Sequence, residues 1–259
     1  MATSPGFWKH RAKRLARKLA WPHPVIYAPI GILRGRPNVL RRSHDIYIGG
    51  YPRSGNTFAV KAFLLANPGT TILSRLHIPT YIVQSVKRGE PGMVLIRKPV
   101  DAAISWAIYR NEPLWQTLAY YNDFHRVLLK HRERLFFVSF EALTSDFGSV
   151  MADFNNRWGT NFVSFEHTPQ NVARCVAQIE AAHTDAAGRI AELQVPRPSN
   201  SRKPIKDKLL RQISMLSTVE TELGRANELY HKLVPKNFSP KPRPNLTKST
   251  KSIRLRPAS

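Results

Sequence analysis

The chain has 259 residues, with 40 Lys and Arg against 17 Asp and Glu, which gives a formal net charge of +23. Hydrophobic residues make up 42% of the chain and aromatic residues 10%, enough for a packed core, so disorder of the whole chain is excluded. The single cysteine excludes an internal disulfide and a four-cysteine metal site, and it favours a reducing compartment.

The excess positive charge lies at the two ends. Residues 1–43 contain ten Lys and Arg and no acid, and residues 236–259 contain seven and no acid. The 17 acids all fall in residues 44–235, where the balance is ordinary for a globular domain. We therefore predict a basic N-terminal extension (1–43), an α/β domain (44–235) and a basic tail (236–259). The tail is rich in Pro, Lys, Ser and Thr and is predicted to be disordered.

The N-terminal extension carries a helical pattern. In residues 7–19, Trp8, Leu15 and Leu19 recur near helical spacing among six Lys and Arg. Such a basic amphipathic helix could lie on an anionic membrane or on nucleic acid, or pack on the domain through its aromatic edge. The apolar residues 20–33 include three prolines and are too few to span a bilayer, and because no tidy apolar run ends in small residues we expect no signal peptide. We expect a cytoplasmic protein, soluble or peripherally bound to a membrane.

From residue 45 onward, short apolar runs alternate with helical patterns. Strands are predicted at Ile46–Gly49, Thr70–Ser74, Gly92–Ile96 and Leu135–Phe140. Helices are predicted at Phe58–Leu65, Asp101–Tyr109, Leu114–His131, Ser145–Trp158, 169–185 and 204–233. Strands that alternate with helices pair in parallel through right-handed crossovers. The expected fold is α/β, with a central parallel sheet in three layers and a helical C-terminal part.

A glycine-containing loop connects the first strand to the first helix. Its spacing over Gly50–Thr57 is Gly-x-x-x-x-Gly-x-Thr, which matches the phosphate loop G-x-x-x-x-G-K-[ST] except that Asn56 replaces the lysine. That lysine reaches the β- and γ-phosphates, so a kinase or an ATP or GTP hydrolase is disfavoured. Arg53 supplies a cation within the loop. We expect the loop to bind an anion through its backbone N–H groups, the alternative being a capped surface turn.

Two further segments follow in order. Arg75-Leu76-His77-Ile78-Pro79 comes after the second strand, and Arg97–Ser105 runs from the third strand into its helix. Together with Tyr51–Phe58, they resemble the sulfotransferase family that uses 3′-phosphoadenosine 5′-phosphosulfate (PAPS). That family reads Y-P-K-S-G-T-T-W, or Y-P-R-S-G-N-T-W in bacterial-type members, then K-T-H-L-P and R-N-P-x-D-x-x-x-S. The resemblance covers about residues 45–160 and implies a phosphate-loop-type fold.

The resemblance implies a donor site for PAPS. The residues that would hold the 5′-phosphosulfate are Arg53, Ser54, Gly55, Asn56 and Thr57. Arg97 and Ser105 would hold the 3′-phosphate, and Phe58 and Phe140 would contact the adenine. Arg202 and Lys203 match part of a late R-K-G segment that covers the 3′-phosphate, although Ile205-Lys206-Asp207 follows where the family has G-D-W.

The resemblance also implies a reaction. His77 matches the general base, and histidine suits this role because its unperturbed pKa of about 6.5 lies near working pH. Arg53 replaces the loop lysine and would stabilise charge on the bridging oxygen, while Arg75 takes the place of the lysine in the histidine segment. The expected activity is metal-independent transfer of a sulfuryl group from PAPS to an acceptor hydroxyl.

Two alternatives remain open. A nucleic-acid-binding or polyanion-binding protein would explain the charge of +23, although that charge lies at the ends and the middle contains no nucleic-acid-binding module. A non-catalytic nucleotide-binding relative would explain the incomplete late segment. The basic ends suit an acidic acceptor, such as a polyanionic glycan or a lipid-linked sugar, or an anionic membrane surface.

Overall fold

The computed structural model describes residues 12, 14–17, 19–21, 44–74 and 77–235. Its four strands are Ile46–Gly50 (β1), Ile72–Ser74 (β2), Gly92–Ile96 (β3) and Phe136–Ser139 (β4). They form a parallel sheet in the order β2-β1-β3-β4, with β1 and β3 in the centre. The predicted parallel sheet is confirmed.

Nine α-helices follow β1 within the described residues. They are Asn56–Ala66 (α1), Pro79–Lys87 (α2), Pro99–Arg110 (α3), Leu114–Leu129 (α4), Phe140–Ser145 (α5), Phe147–Trp158 (α6), Pro169–Ala181 (α7), Lys203–Met215 (α8) and Ser217–Leu233 (α9). After β4 the described chain forms no further strand, only an isolated bridge between Thr184 and Ile190. The predicted helical C-terminal part is therefore confirmed.

Helices cover both faces of the sheet. Successive strand residues point to opposite faces, so Tyr47, Val94 and Phe137 pack into one core with α2, α3, α4 and α9. Leu95 and Val138 pack into the other core with α1, α5, α6 and α7. This arrangement is the predicted three-layer α/β fold. The buried strands read as continuous apolar runs because both of their faces are covered.

The sequence pattern predicted some helices imperfectly. Helix α2 was not predicted, because its buried residues Tyr81, Ile82 and Val83 are consecutive and give no clear helical period. The single helix predicted over 204–233 is two helices, because Leu216 has an extended backbone. No Pro or Gly marks that break in the sequence.

The described part of the N-terminal extension packs on α4 and α9. Residues 12, 14–17, 19 and 20 are helical. Arg14 donates from Nη1 to Glu222 Oε1 at 2.7 Å and lies 3.4 Å from Asp123 Oδ1, and Arg17 Nη2 lies 3.3 Å from Asp123 Oδ2. Trp21 is buried, while Trp8 lies outside the described residues. Packing on the domain therefore occurs, through arginines and Trp21.

The contact with Arg14 favours the ionised form of Glu222. Burial alone would raise the pKa of the Glu222 carboxyl, but hydrogen bonds from Arg14 and Asn122 outweigh burial and lower this pKa below its ordinary value. Arg225, whose Nη1 lies 3.2 Å from Glu222 Oε1, acts in the same direction, so the buried carboxylate is stabilised by Arg14, Asn122 and Arg225 together.

We predict that Arg14→Met lowers the free energy of unfolding at pH 7 by about 2 kcal/mol, because Arg14 is one of only two described arginines that pair with each of the buried carboxylates of Glu222 and Asp123. The loss should persist above the ordinary Glu pKa of 4.5 and shrink as the pH falls through the lowered pKa of Glu222, where wild type also loses the ion pair. Urea denaturation at several pH values measures it. The control is Arg189→Met, whose 3.0 Å ion pair with Asp185 is exposed. An equal effect of both substitutions would contradict the prediction.

Candidate functional site

The loop between β1 and α1 is held close to the sheet. A Cβ atom at Gly50 would lie 2.1 Å from the carbonyl oxygen of Leu95 on β3, so only glycine fits there. Arg53 and Gly55 both have positive φ, at 64° and 91°. Alternation of left-handed residues turns successive N–H groups toward one side of a loop, as in anion-binding concavities.

The N–H groups of this loop are available to a ligand. No described residue accepts a hydrogen bond from the backbone N–H of Ser54, Gly55, Asn56 or Thr57, and α1 has no side-chain cap. The side-chain amide of Asn56 donates to the carbonyl of Tyr51 at 2.9 Å. Asn56 therefore holds the loop from within, and among the described residues the first N–H groups of α1 have no acceptor.

Arg53 extends from the loop across the site. Its Nε donates to Ser105 Oγ at 2.9 Å, and its Nη1 and Nη2 donate to the carbonyl oxygens of Gln194 and Val195 at 2.9 and 3.0 Å. Its guanidinium also lies 5.6 Å from the ring centre of Tyr109. One side chain thus joins the loop, helix α3 and the segment before α8.

Two more arginines, Arg97 and Arg202, lie near Arg53. Arg97, at the end of β3, donates from Nη1 to the carbonyl of Arg53 at 3.1 Å, and its guanidinium lies 4.1 Å from the ring centre of Phe140. Arg202 is buried and donates to the carbonyl of Val195 at 3.3 Å. The Val195 oxygen therefore accepts hydrogen bonds from both Arg53 and Arg202.

These three guanidinium groups lack direct carboxylate partners, although Asp101 and Glu141 act on Arg97 and Glu192 acts on Arg202 from a greater distance. Among the described residues, none of Arg53, Arg97 and Arg202 forms an ion pair. Burial, together with the charges of Arg202 and Arg97, lowers the pKa of Arg53 to about 10. Burial also lowers the pKa values of Arg97 and Arg202. All three remain cations at neutral pH, and a bound anion would relieve their mutual repulsion.

His77 lies beside the start of the loop. Its Nδ1 is 3.0 Å from the carbonyl oxygen of Gly50. Because a carbonyl only accepts, a hydrogen bond here requires the proton on Nδ1, and in the neutral imidazole Nε2 is then the basic nitrogen. The Tyr120 hydroxyl donates to the His77 carbonyl at 2.5 Å, which fixes the backbone of this residue.

Helix α4 contacts all three segments of the site. Besides the bond from Tyr120 to His77, the Tyr121 hydroxyl donates to the carbonyl of Arg97 at 2.9 Å. The Tyr51 hydroxyl, at the start of the loop, donates to the carbonyl of Thr117 on α4 at 2.8 Å. Tyr120 and Tyr121 were not predicted from the sequence, although two adjacent tyrosines in a helix are a signal, because a buried tyrosine hydroxyl needs a hydrogen-bond partner.

The other predicted site residues lie in several places. Phe140 lies under the loop, 3.2 Å from where a Cβ of Gly55 would be. Phe58 packs in a different aromatic group, with ring centres 6.4 and 6.2 Å from those of Phe165 and His167. Lys203 is exposed at the start of α8. Arg75 lies outside the described residues.

Comparisons with known proteins add little to this geometry. No family model matches the sequence, and no curated protein matches it. Among solved structures, the chain aligns with the crystal structure of mouse sulfotransferase SULT7A1 complexed with PAP. The alignment has 14% sequence identity and a TM-score of 0.40, and it covers 72% of this chain and 90% of that chain. The fold described above therefore rests on the strand order and the two helical layers themselves.

We predict that Gly55→Ala destabilises the fold by about 1–3 kcal/mol more than Gly69→Ala does. Both glycines have positive φ, so alanine is strained at either position. A Cβ at Gly55 would also lie 2.6 Å from Leu143 Cδ2 in the buried core, whereas a Cβ at Gly69 has no neighbour within 4 Å. Chemical denaturation of the two variants measures the difference, and equal losses would show that the loop is not held against α5.

Proposed function

We propose that this chain is a sulfotransferase that transfers a sulfuryl group from PAPS to an acceptor hydroxyl. The observation that supports it best is the convergence of three guanidinium groups without ion pairs, those of Arg53, Arg97 and Arg202, on a loop with unused N–H donors. This cluster lies at the carboxyl end of a parallel sheet, where ligands of α/β folds bind. A nucleotide with phosphate groups on both its 5′ and 3′ positions would supply the matching charge.

In the proposed complex, the N–H groups of Ser54 to Thr57 bind the 5′-phosphosulfate. Arg97 and Ser105 bind the 3′-phosphate, the group that distinguishes the donor from ATP. Arginine suits this role because its guanidinium group donates two parallel hydrogen bonds to a phosphate. Arg202 adds charge to that region, with Lys203 beside it in the chain. We assign the adenine to the neighbourhood of Phe140, whose ring Arg97 already covers, and of Phe58.

The transfer itself needs one base and one cation. The acceptor oxygen forms a bond to sulfur as the bond between sulfur and the bridging oxygen breaks. The hydroxyl proton passes to His77 Nε2, and the electron pair of the broken bond stays on the phosphate of the product, 3′-phosphoadenosine 5′-phosphate. Arg53 stabilises that developing charge, with Arg75 as a further cation in the histidine segment. Because guanidinium groups take the place of a divalent cation, we propose that the transfer is metal-independent.

We predict that the protein binds 3′-phosphoadenosine 5′-phosphate without added metal, and about 10- to 100-fold more tightly than 5′-AMP or ATP. The preference should come from charge-assisted hydrogen bonds to the 3′-phosphate, so Arg97→Ala should remove it. Calorimetric titration of each variant measures the affinities.

The control for Arg97→Ala is Arg157→Ala. Arg157 lies on α6 and donates to the carbonyl of Glu133, away from the cluster. Its loss should leave nucleotide affinity unchanged. Equal affinity for the nucleotides with and without a 3′-phosphate in wild type would contradict the proposed function and favour the polyanion-binding alternative.

We predict that His77→Ala binds 3′-phosphoadenosine 5′-phosphate as wild type does, yet transfers the sulfuryl group more slowly by a factor on the order of 100 or more. Transfer from radiolabelled PAPS to simple phenols, alcohols and sugars measures the rate. His231→Ala, at an exposed histidine of α9, is the matched control. Full activity of His77→Ala would refute the assignment of the base, and tight nucleotide binding without transfer by wild type would favour a non-catalytic relative.

A further inference from the structure

The described residues of the N-terminal helical segment divide between two opposite faces. The inner face consists of Arg14, Arg17 and Trp21, at positions i, i+3 and i+7, and it contacts the domain. The outer face consists of Ala12, Leu15, Ala16 and Leu19, at positions i, i+3, i+4 and i+7, and all four are exposed. The exposed fractions of Leu15 and Leu19 are 59% and 61%.

This arrangement is the opposite of that in an ordinary surface helix, where the apolar face packs on the domain and the charged face is exposed to solvent. The cause lies in the domain. The side chains of Asp123 and Glu222 are almost fully buried, and Arg14 and Arg17 neutralise them from the inner face. Once these arginines point inward, helical geometry turns the leucines outward. Leu15 and Leu19 are one turn apart, so they form a continuous apolar stripe.

We propose that this outer face docks on an anionic membrane surface, with Leu15 and Leu19 entering the boundary between headgroups and acyl chains. Apart from Arg14 and Arg17, the first 43 residues contain eight Lys and Arg and no acid. Basic residues near an anionic leaflet strengthen binding by about fivefold each. An apolar stripe within an acid-free basic segment combines the two interactions that hold an interfacial helix on a membrane.

The same observations favour a membrane over a nucleic acid. Nucleic acids bind through cations that meet phosphate groups. Here the two arginines whose contacts are described face the domain, and the outward residues are two leucines and two alanines. The contact is interfacial, since none of the described helices is both long and apolar enough to cross a bilayer.

The test uses the full chain and two kinds of vesicle, phosphatidylcholine alone and phosphatidylcholine mixed with phosphatidylserine. We expect co-sedimentation with the mixed vesicles only. The double variant Leu15→Gln and Leu19→Gln should bind them about tenfold more weakly, because it removes the apolar insertion. Glutamine keeps both the net charge and the helix propensity, and both positions are exposed, so thermal unfolding should not change.

The matched control is Val163→Gln. Val163 is 62% exposed, and its backbone bonds to Asn67 at the end of α1, on the opposite side of the sheet from α4. Its substitution should leave vesicle binding unchanged. Three results would overturn the proposal. The first is that wild type does not bind mixed vesicles, and the second is that the double variant binds them as well as wild type does. The third is that wild type binds a DNA duplex instead of the vesicles and the double variant does not. Nucleotide titration is independent of this test, so the proposed function and the membrane contact can fail separately.

Discussion

Three hydrogen bonds between helix α4 and the three segments of the candidate site hold the site in place. They run from Tyr51 to Thr117, from Tyr120 to His77 and from Tyr121 to Arg97. A buried carbonyl or hydroxyl without a partner costs free energy comparable to a lost hydrogen bond, so each bond fixes its segment relative to α4. The parallel sheet brings the ends of β1 and β3 to one edge. The hydrogen bonds to α4 then fix the positions of the loop, His77 and Arg97 at that edge. The geometry of the site therefore depends on α4, which contacts all three segments of the site.

Helix α4 is in turn held by the N-terminal extension and by α9. Asp123 lies between Arg14 and Arg17, and Asn122 donates to Glu222 on α9. Arg17 also lies 5.3 Å from the ring centre of Tyr120, the residue that donates to His77. The helical segment of the extension is therefore linked to the backbone of His77, the proposed base, through the side chain of Tyr120. The proposed membrane contact at the outer face and the position of His77 would share this structural link.

The sequence predicted the elements that leave a repeating or continuous apolar pattern. Strand β3 occurs over the predicted residues Gly92–Ile96, because a strand covered on both faces must be apolar throughout. The loop was predicted from its glycine spacing between a strand and a helix, and Arg97 from the resemblance to the sulfotransferase family. The carbonyls of Gln194 and Val195 left no signal, since every residue has a carbonyl. The inward arginines could not be predicted either, because their direction depends on Asp123 and Glu222, more than 100 residues away.

The replacement of the loop lysine explains the chemistry of the loop. Asn56 cannot supply a cation, and its amide is used to hold the carbonyl of Tyr51. The charge lies three residues earlier, on Arg53, whose backbone is left-handed. A lysine ammonium there would be a point charge, whereas the planar guanidinium of Arg53 reaches Ser105 and two carbonyls at once. Those neutral partners orient the cation without neutralising it, so its charge remains for an anion. In the proposed reaction, that charge meets the bridging oxygen with Arg53 already positioned, which reduces the reorganisation that the transfer requires.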